Sequence, residues 1–330
     1  MNVGVIGAGG IATTSHLPVL ANLPDVHIAW IADRNRRKAE LVARCYRARG
    51  YGEDILVDPA PAADVVLFAI PYGVRAPYFE RFADPGCGWY VEKPFALTAA
   101  EHLTLCARKA DPLLAVGFQL RASGIVQLAR AALRERLFGR LRRVDVGLGY
   151  RGRIVGGESH TGHQSMAGGG IIADIGIHCL DTIAYCVEPA SCSVRRCHMI
   201  LDHGLDIHTD ADLLLVTADG AEVEMRLTMS NLVDTAEEIA LEFDQATVRF
   251  SIFYEESSLR VRARAGGLDY VLAAMSHDYP RTSDQIFHRF WRAYLDGVRS
   301  GRPNVTSARG MVSTTRLVEA LYAAGRSAGT

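Results

Sequence analysis

Of the 36 basic residues in this sequence only Lys38, Lys93 and Lys109 are lysine, all others being arginine. Lys93 stands in Glu92-Lys93-Pro94, directly after the apolar run Trp89-Tyr90-Val91. An ammonium can release its proton when burial or a neighbouring cation lowers its pKa, whereas a guanidinium effectively cannot. A lysine placed at a strand end in an arginine-writing chain therefore points to proton chemistry, with an ordinary surface lysine as the plain alternative. A second constellation is Gly168-Gly-Gly-Ile-Ile-Ala-Asp174-Ile-Gly-Ile-His178-Cys-Leu-Asp181. At roughly 100° per residue, Asp174, His178 and Asp181 fall on one narrow stripe of a helix that is otherwise apolar. A helix that is apolar nearly all round is buried, so the stripe must face an internal cleft. A carboxylate beside an imidazole suits general acid–base work. A satisfied core His–Asp pair and an i, i+4, i+7 metal site are the alternatives, and no further Cys or His cluster in the sequence supports a metal.

A third group is Gly7-Ala8-Gly9-Gly10-Ile11-Ala12, a G-x-G-x-x-A run that follows an apolar strand and opens a helix. Glycines in that setting allow a tight turn and let backbone N–H groups approach a pyrophosphate at the positive end of the helix. The next apolar strand ends in Asp33, placed to accept hydrogen bonds from an adenosine ribose. An aspartate there repels a 2′-phosphate, so NAD is the expected cofactor. Arg34, Arg36 and Arg37 behind it could hold that phosphate, which keeps NADP as an alternative.

The elements that must carry these groups follow from the pattern. Between residues 2 and about 120, short unbroken apolar runs (NVGVIG, VHIAWIAD, DVVLFAIP, WYVEKP, LLAVGF) alternate with helical stretches near Ile11–Leu23, Arg34–Arg49, Ala76–Phe82 and Ala99–Ala110. Strands apolar on both faces and separated by helices predict a doubly wound parallel sheet, an α/β dinucleotide-binding domain over residues 1–120. Beyond that point the expected order is a helix near Gly124–Arg136, a strand RRVDVGLGYRG, a polar loop and the Gly-rich helix. Strands with period-two alternation follow, such as Val223, Met225, Leu227 and Met229 after the Asp219-Gly220 turn, before a helical C-terminus from Asp284. Residues 121–330 read as an α+β domain with a largely antiparallel open sheet.

Composition narrows the class further. The 330 residues are 49% hydrophobic and 22% charged, with a net charge of −1, so no positive field exists to attract nucleic acid or anionic lipid. Seven scattered cysteines without a C-x-x-C pair indicate neither disulfides nor a zinc cluster. A reducing cytoplasm, no membrane span, and a small-molecule partner are the expectations.

Together the Gly-rich turn, Glu92-Lys93-Pro94, the following Phe95-Ala-Leu-Thr with Glu101, Val116-Gly-Phe-Gln-Leu-Arg121 and the G-G-x-x-x-D-x-G-x-H-x-x-D run resemble one family. This is the glucose–fructose oxidoreductase, inositol dehydrogenase and rhizopine-catabolism group of Rossmann oxidoreductases. The resemblance implies Lys93, Asp174 and His178 as catalytic residues, a cis Pro94, and an open C-terminal sheet that often forms homodimers or homotetramers. Gly7, Gly9, Gly10, Ile11, Ala12, Asp33, Arg34, Pro71 and Glu92 are the expected cofactor-binding positions, and Gln119, Arg121, Tyr150, Arg151 and Asp181 the expected substrate contacts. The polar loop Tyr150–Gln164, with Arg153, Glu158, Ser159, His160, Thr161 and His163, suits a sugar, cyclitol or aminoglycoside. One departure stands out: after Pro71 the family pattern T-P-N-x-x-H is replaced by Tyr72 and Arg75 at the Asn and His positions. The implied activity is hydride transfer between a nicotinamide and a secondary alcohol of a polyhydroxylated substrate. An NAD-assisted glycosidase and a non-catalytic ligand sensor on the same scaffold are the rivals.

Overall fold

The computed structural model describes residues 1–57, 62–152, 168–253, 258–273 and 282–327. These form two compact units: Met1–Phe95, Ala100–Gln119 and Ser283–Gly310 in the first, and Ala96–Ala99, Leu120–Thr282 and Met311–Thr330 in the second.

The first unit is built on a six-stranded parallel sheet ordered β3-β2-β1-β4-β5-β6. Its strands are β1 (Asn2–Ile6), β2 (His27–Ala32), β3 (Arg49–Tyr51), β4 (Val65–Phe68), β5 (Gly88–Val91) and β6 (Leu114–Val116). Every residue of β4, β5 and β6 is buried, as strands covered by helices on both faces must be. The helix after β1 begins with a π segment, Ala12–His16, and continues as α1 (Leu17–Ala21). It is followed by α2 (Arg36–Cys45), whose N-cap Asn35 accepts the Lys38 N–H, then α3 (Ala76–Arg81) and α4 (Ala99–Ala107). The strand order reverses between β1 and β4, and the crevice at the carboxyl ends there is where such folds bind ligands.

The second unit begins with α5 (Gly124–Arg134) and β7 (Leu141–Gly149). A π segment, Ile172–Gly176, then runs into α6 (Ile177–Val187). Seven strands follow: β8 (Pro189–Asp202), β9 (Leu205–Thr217), β10 (Glu222–Ser230), β11 (Glu238–Phe243), β12 (Ala246–Phe250), β13 (Ser258–Ala263) and β14 (Asp269–Ala273). The sheet is ordered β14-β13-β12-β11-β7-β10-β9-β8, with β7 and β10 parallel and every other pair antiparallel. Alternation is visible in β10, where Val223, Met225, Leu227 and Met229 are buried while Glu222, Glu224 and Arg226 are exposed. The polar face is laced by ion pairs such as Arg143–Asp145 and Arg196–Asp212.

Two helices lie near the C-terminus. One, α7 (Ser283–Ser300), belongs to the first unit, although residues after 120 were expected to form a single second domain. Its face of Phe287, Phe290, Trp291 and Tyr294 is buried, and Trp291 stacks on Tyr90 of β5 at 4.3 Å between ring centroids. Helical periodicity shows that such a face exists but not which body it will cover. The other, α8 (Val312–Ser327), packs with α6 and β8 in the second unit.

Candidate functional site

In the first unit the residues after β1 build a dinucleotide cradle. Gly7 adopts φ +99°, and a Cβ there would stand 2.3 Å from the Ala69 carbonyl oxygen, so the turn demands glycine. Gly9 and Gly10 differ: a Cβ on either would meet no atom of the described residues within 4 Å. Their lack of side chains answers no packing need of the chain itself and fits an incoming pyrophosphate at the helix start. Ile11, at 40% exposure, presents an apolar side chain at the same place, and Ala12 behind it is buried. Asp33 ends β2 with its carboxylate tied to the turn, Oδ2 accepting the Ala8 N–H and Oδ1 the Asn35 N–H, both at 2.9 Å. Each oxygen retains acceptor capacity toward a ribose. Arg34 and Arg37 are exposed beside it, while Arg36 pairs with Glu40 and Asp54. The turn, the glycines and the aspartate fit a nicotinamide dinucleotide.

Glu92-Lys93-Pro94 leaves β5 at the carboxyl edge of the sheet with the Lys93–Pro94 bond cis, as the resemblance implied. Lys93 is half-buried and Glu92 is 7% exposed. Glu92 is surrounded by the protein's own groups: Oε1 meets His16 Nε2 at 2.9 Å and Oε2 accepts the Lys93 N–H at 3.2 Å. Pro71 is half-buried at the end of the β4 turn. The departures next to it have internal partners. The Tyr72 hydroxyl donates to both oxygens of Glu101, at 2.8 and 2.9 Å, and burial with that carboxylate raises its pKa. Arg75 is buried and donates to the Ile70 and Pro94 carbonyls. Gln119 follows β6, and its Oε1 is buried without a hydrogen-bond partner among the described residues.

In the second unit Asp174 lies in the π segment and His178 in the first turn of α6, both half-buried. Asp181 departs from the expected stripe. Periodicity puts His178 and Asp181 on neighbouring rows of α6 but does not say what each row faces. Asp181 is instead interior, and its carboxylate accepts from Arg121 Nε at 2.9 Å, Arg121 Nη2 at 2.7 Å and Thr314 Oγ1 at 2.8 Å. With side chains only 4% and 3% exposed, Arg121 and Asp181 hold each other, where direct contact with substrate was expected of both. Tyr150 and Arg151 follow β7, their amides bonded to Ser230 and Asp234. Arg153, Glu158, Ser159, His160, Thr161, His163 and Gln164 lie outside the described residues.

Asp206, absent from the sequence expectations, fixes the start of the helix that carries Asp174 and His178. Its Oδ1 accepts the Gly170 N–H at 2.6 Å and the Tyr322 hydroxyl at 2.8 Å, and its Oδ2 accepts the Ile172 N–H at 2.8 Å. Burial raises its pKa despite these donors. A Cβ at Gly170 would stand 2.0 Å from the Asp206 carbonyl oxygen, which explains a glycine there.

Among the described residues one other group could hold a metal ion: His198, His208 and Asp210 on the polar sheet face. Ser230 Oγ accepts the Leu232 and Val233 N–H groups, which leaves its own proton for His208 Nδ1 at 2.9 Å. His208 Nε2 then carries the hydrogen toward Asp210 Oδ2 at 2.9 Å, so neither ring nitrogen offers a lone pair to an ion in this arrangement.

A Rossmann sheet with a dinucleotide cradle and a lysine at its carboxyl edge defines a nicotinamide-dependent oxidoreductase scaffold. Residues 1–118 match the NAD-binding Rossmann domain of the GFO/IDH/MocA oxidoreductase family and residues 126–260 match that family's C-terminal domain; the chain belongs to this family. It is 27% identical over 190 residues to a D-glucoside 3-dehydrogenase of Escherichia coli, a match covering 56% of this chain and 53% of that protein. The chain thus spans about half the length of that relative. It is 25% identical over 238 residues, 70% of each protein, to a dTDP-3,4-didehydro-2,6-dideoxy-α-D-glucose 3-reductase of Streptomyces antibioticus. The fold is shared with an aldose–aldose oxidoreductase of Caulobacter crescentus solved with glycerol, at TM-score 0.80 and 20% identity over 99% of this chain and 98% of that one. A 3-ketoreductase of Actinomadura kijaniata solved with NADP and TDP-benzene gives TM-score 0.77 and 19% identity over 98% and 96%.

Proposed function

We propose that this protein transfers hydride reversibly between a nicotinamide cofactor, NAD in preference to NADP, and a ring secondary alcohol or ketone of a sugar. The 3-position of a hexose is the first candidate, because the E. coli and S. antibioticus relatives are named for it. The observation that carries the reading is the half-buried Lys93 at the carboxyl edge of a sheet whose cradle glycines Gly9 and Gly10 face no atom of the described residues within 4 Å.

Lys93 donates a hydrogen bond to the reacting oxygen and stabilises the negative charge that develops as its proton leaves. His178 takes that proton in the oxidative direction and returns it in reduction, and Asp174 orients the imidazole. The bound nicotinamide supplies the hydride acceptor or donor. Gln119 Oε1, a buried acceptor lacking a partner among the described residues, accepts a substrate hydroxyl. Tyr150 and Arg151 contribute to the polar rim. Arg121 and Asp181 support this machinery from inside the second unit. The protein works as a cytoplasmic homo-oligomer joined through the open sheet. Among the described residues no helix is long and apolar enough to cross a membrane.

The test is absorbance at the reduced-nicotinamide band with NAD and NADP and a panel of glycosides, cyclitols and their keto forms. The expected result is turnover on at least one sugar, lower by about 10² in His178→Ala and greatly reduced in Lys93→Arg. Accumulation of reduced cofactor separates net oxidation from the glycosidase alternative, in which the cofactor is recycled. Sugar binding without turnover would favour a sensor.

A further inference from the structure

Arg75 occupies the position at which the family pattern carries histidine, and it is 2% exposed. Its Nε donates to the Ile70 carbonyl at 3.0 Å and its Nη1 to the Pro94 carbonyl. The guanidinium thus spans the exit of β4 and the Glu92-Lys93-Pro94 turn. Burial pushes its pKa down to about 10, opposed by Glu92, Tyr72 and Glu101, so it stays cationic at neutral pH.

The same turn is held from its other side. Glu92 Oε2 accepts the Lys93 N–H, and Oε1 lies against His16 Nε2. The tautomer of His16 follows from its second contact: the Trp291 indole N–H, which can only donate, reaches His16 Nδ1 at 3.0 Å. His16 Nδ1 is therefore the acceptor and Nε2–H the donor to Glu92. Gly117 closes the arrangement, since a Cβ there would stand 2.5 Å from Glu92 Oε1. The amide of Lys93 and the carbonyl of Pro94 are each gripped by a buried charged side chain.

A buried guanidinium and carboxylate are a weak source of stability, because desolvation offsets much of their attraction. What this pair provides is a fixed place for the peptide that bears Lys93. We propose that Arg75 is a positioning residue for Lys93, its two-pronged contact with Ile70 and Pro94 setting where the ammonium is presented. This rests on the reading of Lys93 as the group that binds the reacting oxygen.

The test is a double-mutant cycle of Arg75→Lys and Lys93→Met, with hydride transfer followed under single-turnover conditions and cofactor affinity by fluorescence quenching. Arg75→Lys keeps the charge but cannot reach both carbonyls. The expected result is a loss of about 10- to 100-fold in the transfer rate in the Lys93 background, with cofactor affinity within about twofold. In the Lys93→Met background the same substitution should change the residual rate by less than about threefold, because the group it positions is gone. Equal losses in both backgrounds would reduce Arg75 to a structural role, and no loss in the Lys93 background would overturn the proposal. A Lys93→Met enzyme with normal rate would instead remove the reading of Lys93 on which the proposal depends. Should Arg75→Lys fail to fold, Arg75→His, which restores the family's residue type, enters the same cycle with the same expected outcomes. Tyr72→Phe, in the segment after β4 that also carries Arg75 but bonded to Glu101, serves as the control that keeps full rate.

Discussion

Replacing Arg121 by methionine should unfold the protein more readily and should not act first on substrate affinity. Arg121 and Asp181 have side chains 4% and 3% exposed, and Arg121 meets the carboxylate through Nε and Nη2 at 2.9 and 2.7 Å. Removing one member leaves a buried charge without its main partner, for which the typical cost is about 3–5 kcal/mol. At roughly 2–4 °C per kcal/mol for a domain of this size, the melting temperature should fall by about 6–20 °C. Asp181→Leu should be comparably damaging, since it strands the guanidinium and removes the acceptor of Thr314. The double variant, Arg121→Met with Asp181→Leu, should recover most of the loss, because a well-packed apolar pair avoids the desolvation that the ion pair suffers. The assay is thermal and urea denaturation of all four proteins, with KM for the sugar measured on those that stay folded. An Arg121→Met protein of unchanged stability but strongly raised KM would refute the reasoning and restore both residues to direct substrate contact.

Gly9→Ala should leave stability within about 0.5 kcal/mol, because no described protein atom lies where the Cβ would go, yet weaken cofactor binding about tenfold or more. Gly7→Ala should fail in stability instead, its Cβ colliding with the Ala69 carbonyl; titration calorimetry beside a thermal melt separates the two, and equal stability losses would contradict the cradle. Asp206→Asn should cost about 1–3 kcal/mol by turning one acceptor of the helix start into a donor. Burial raises the Asp206 pKa above its ordinary 3.8, so the native state binds that proton more tightly than the unfolded chain does. The advantage of the wild type over Asp206→Asn is then greatest at acid pH and shrinks as pH rises through the raised value. Urea titrations between about pH 4 and 7 check the sign, and an advantage that grows with pH would show the hydrogen bonds outweighing burial.

The α/β class and the cradle were legible because they depend on local order: an apolar strand, a turn that needs Gly7, and an acid at the end of the next strand. Lys93 stood out for the same reason, whereas the cis Pro94 followed only from the family resemblance. The short β3 starts at the last residue of the expected helix Arg34–Arg49 and was not anticipated, since three residues cannot show a period. The edge strand β8 was equally obscure, because none of its residues is buried and its alternation is weak. Partnerships across sequence were the least legible. Arg121 and Asp181 were found as polar residues in suggestive motifs, but nothing local distinguishes a side chain that meets substrate from one that meets its twin 60 residues away. Asp206 carried no signal, being one of three aspartates in β9 and 36 residues from the Gly170 amide it caps. His16 gave no local sign either, since its partners Glu92 and Trp291 lie 76 and 275 residues away.

The most direct test of the central claim follows the hydrogen itself. A sugar that supports turnover, deuterated at the carbon bearing the reacting hydroxyl, is incubated with the protein and oxidised cofactor, and the nicotinamide is analysed by mass spectrometry. The account predicts deuterium on the reduced cofactor, at a rate lowered by about 10² or more in His178→Ala and similarly in Lys93→Met. A cofactor that stays unlabelled while the sugar is consumed, or label transfer at full rate in both variants, would contradict it.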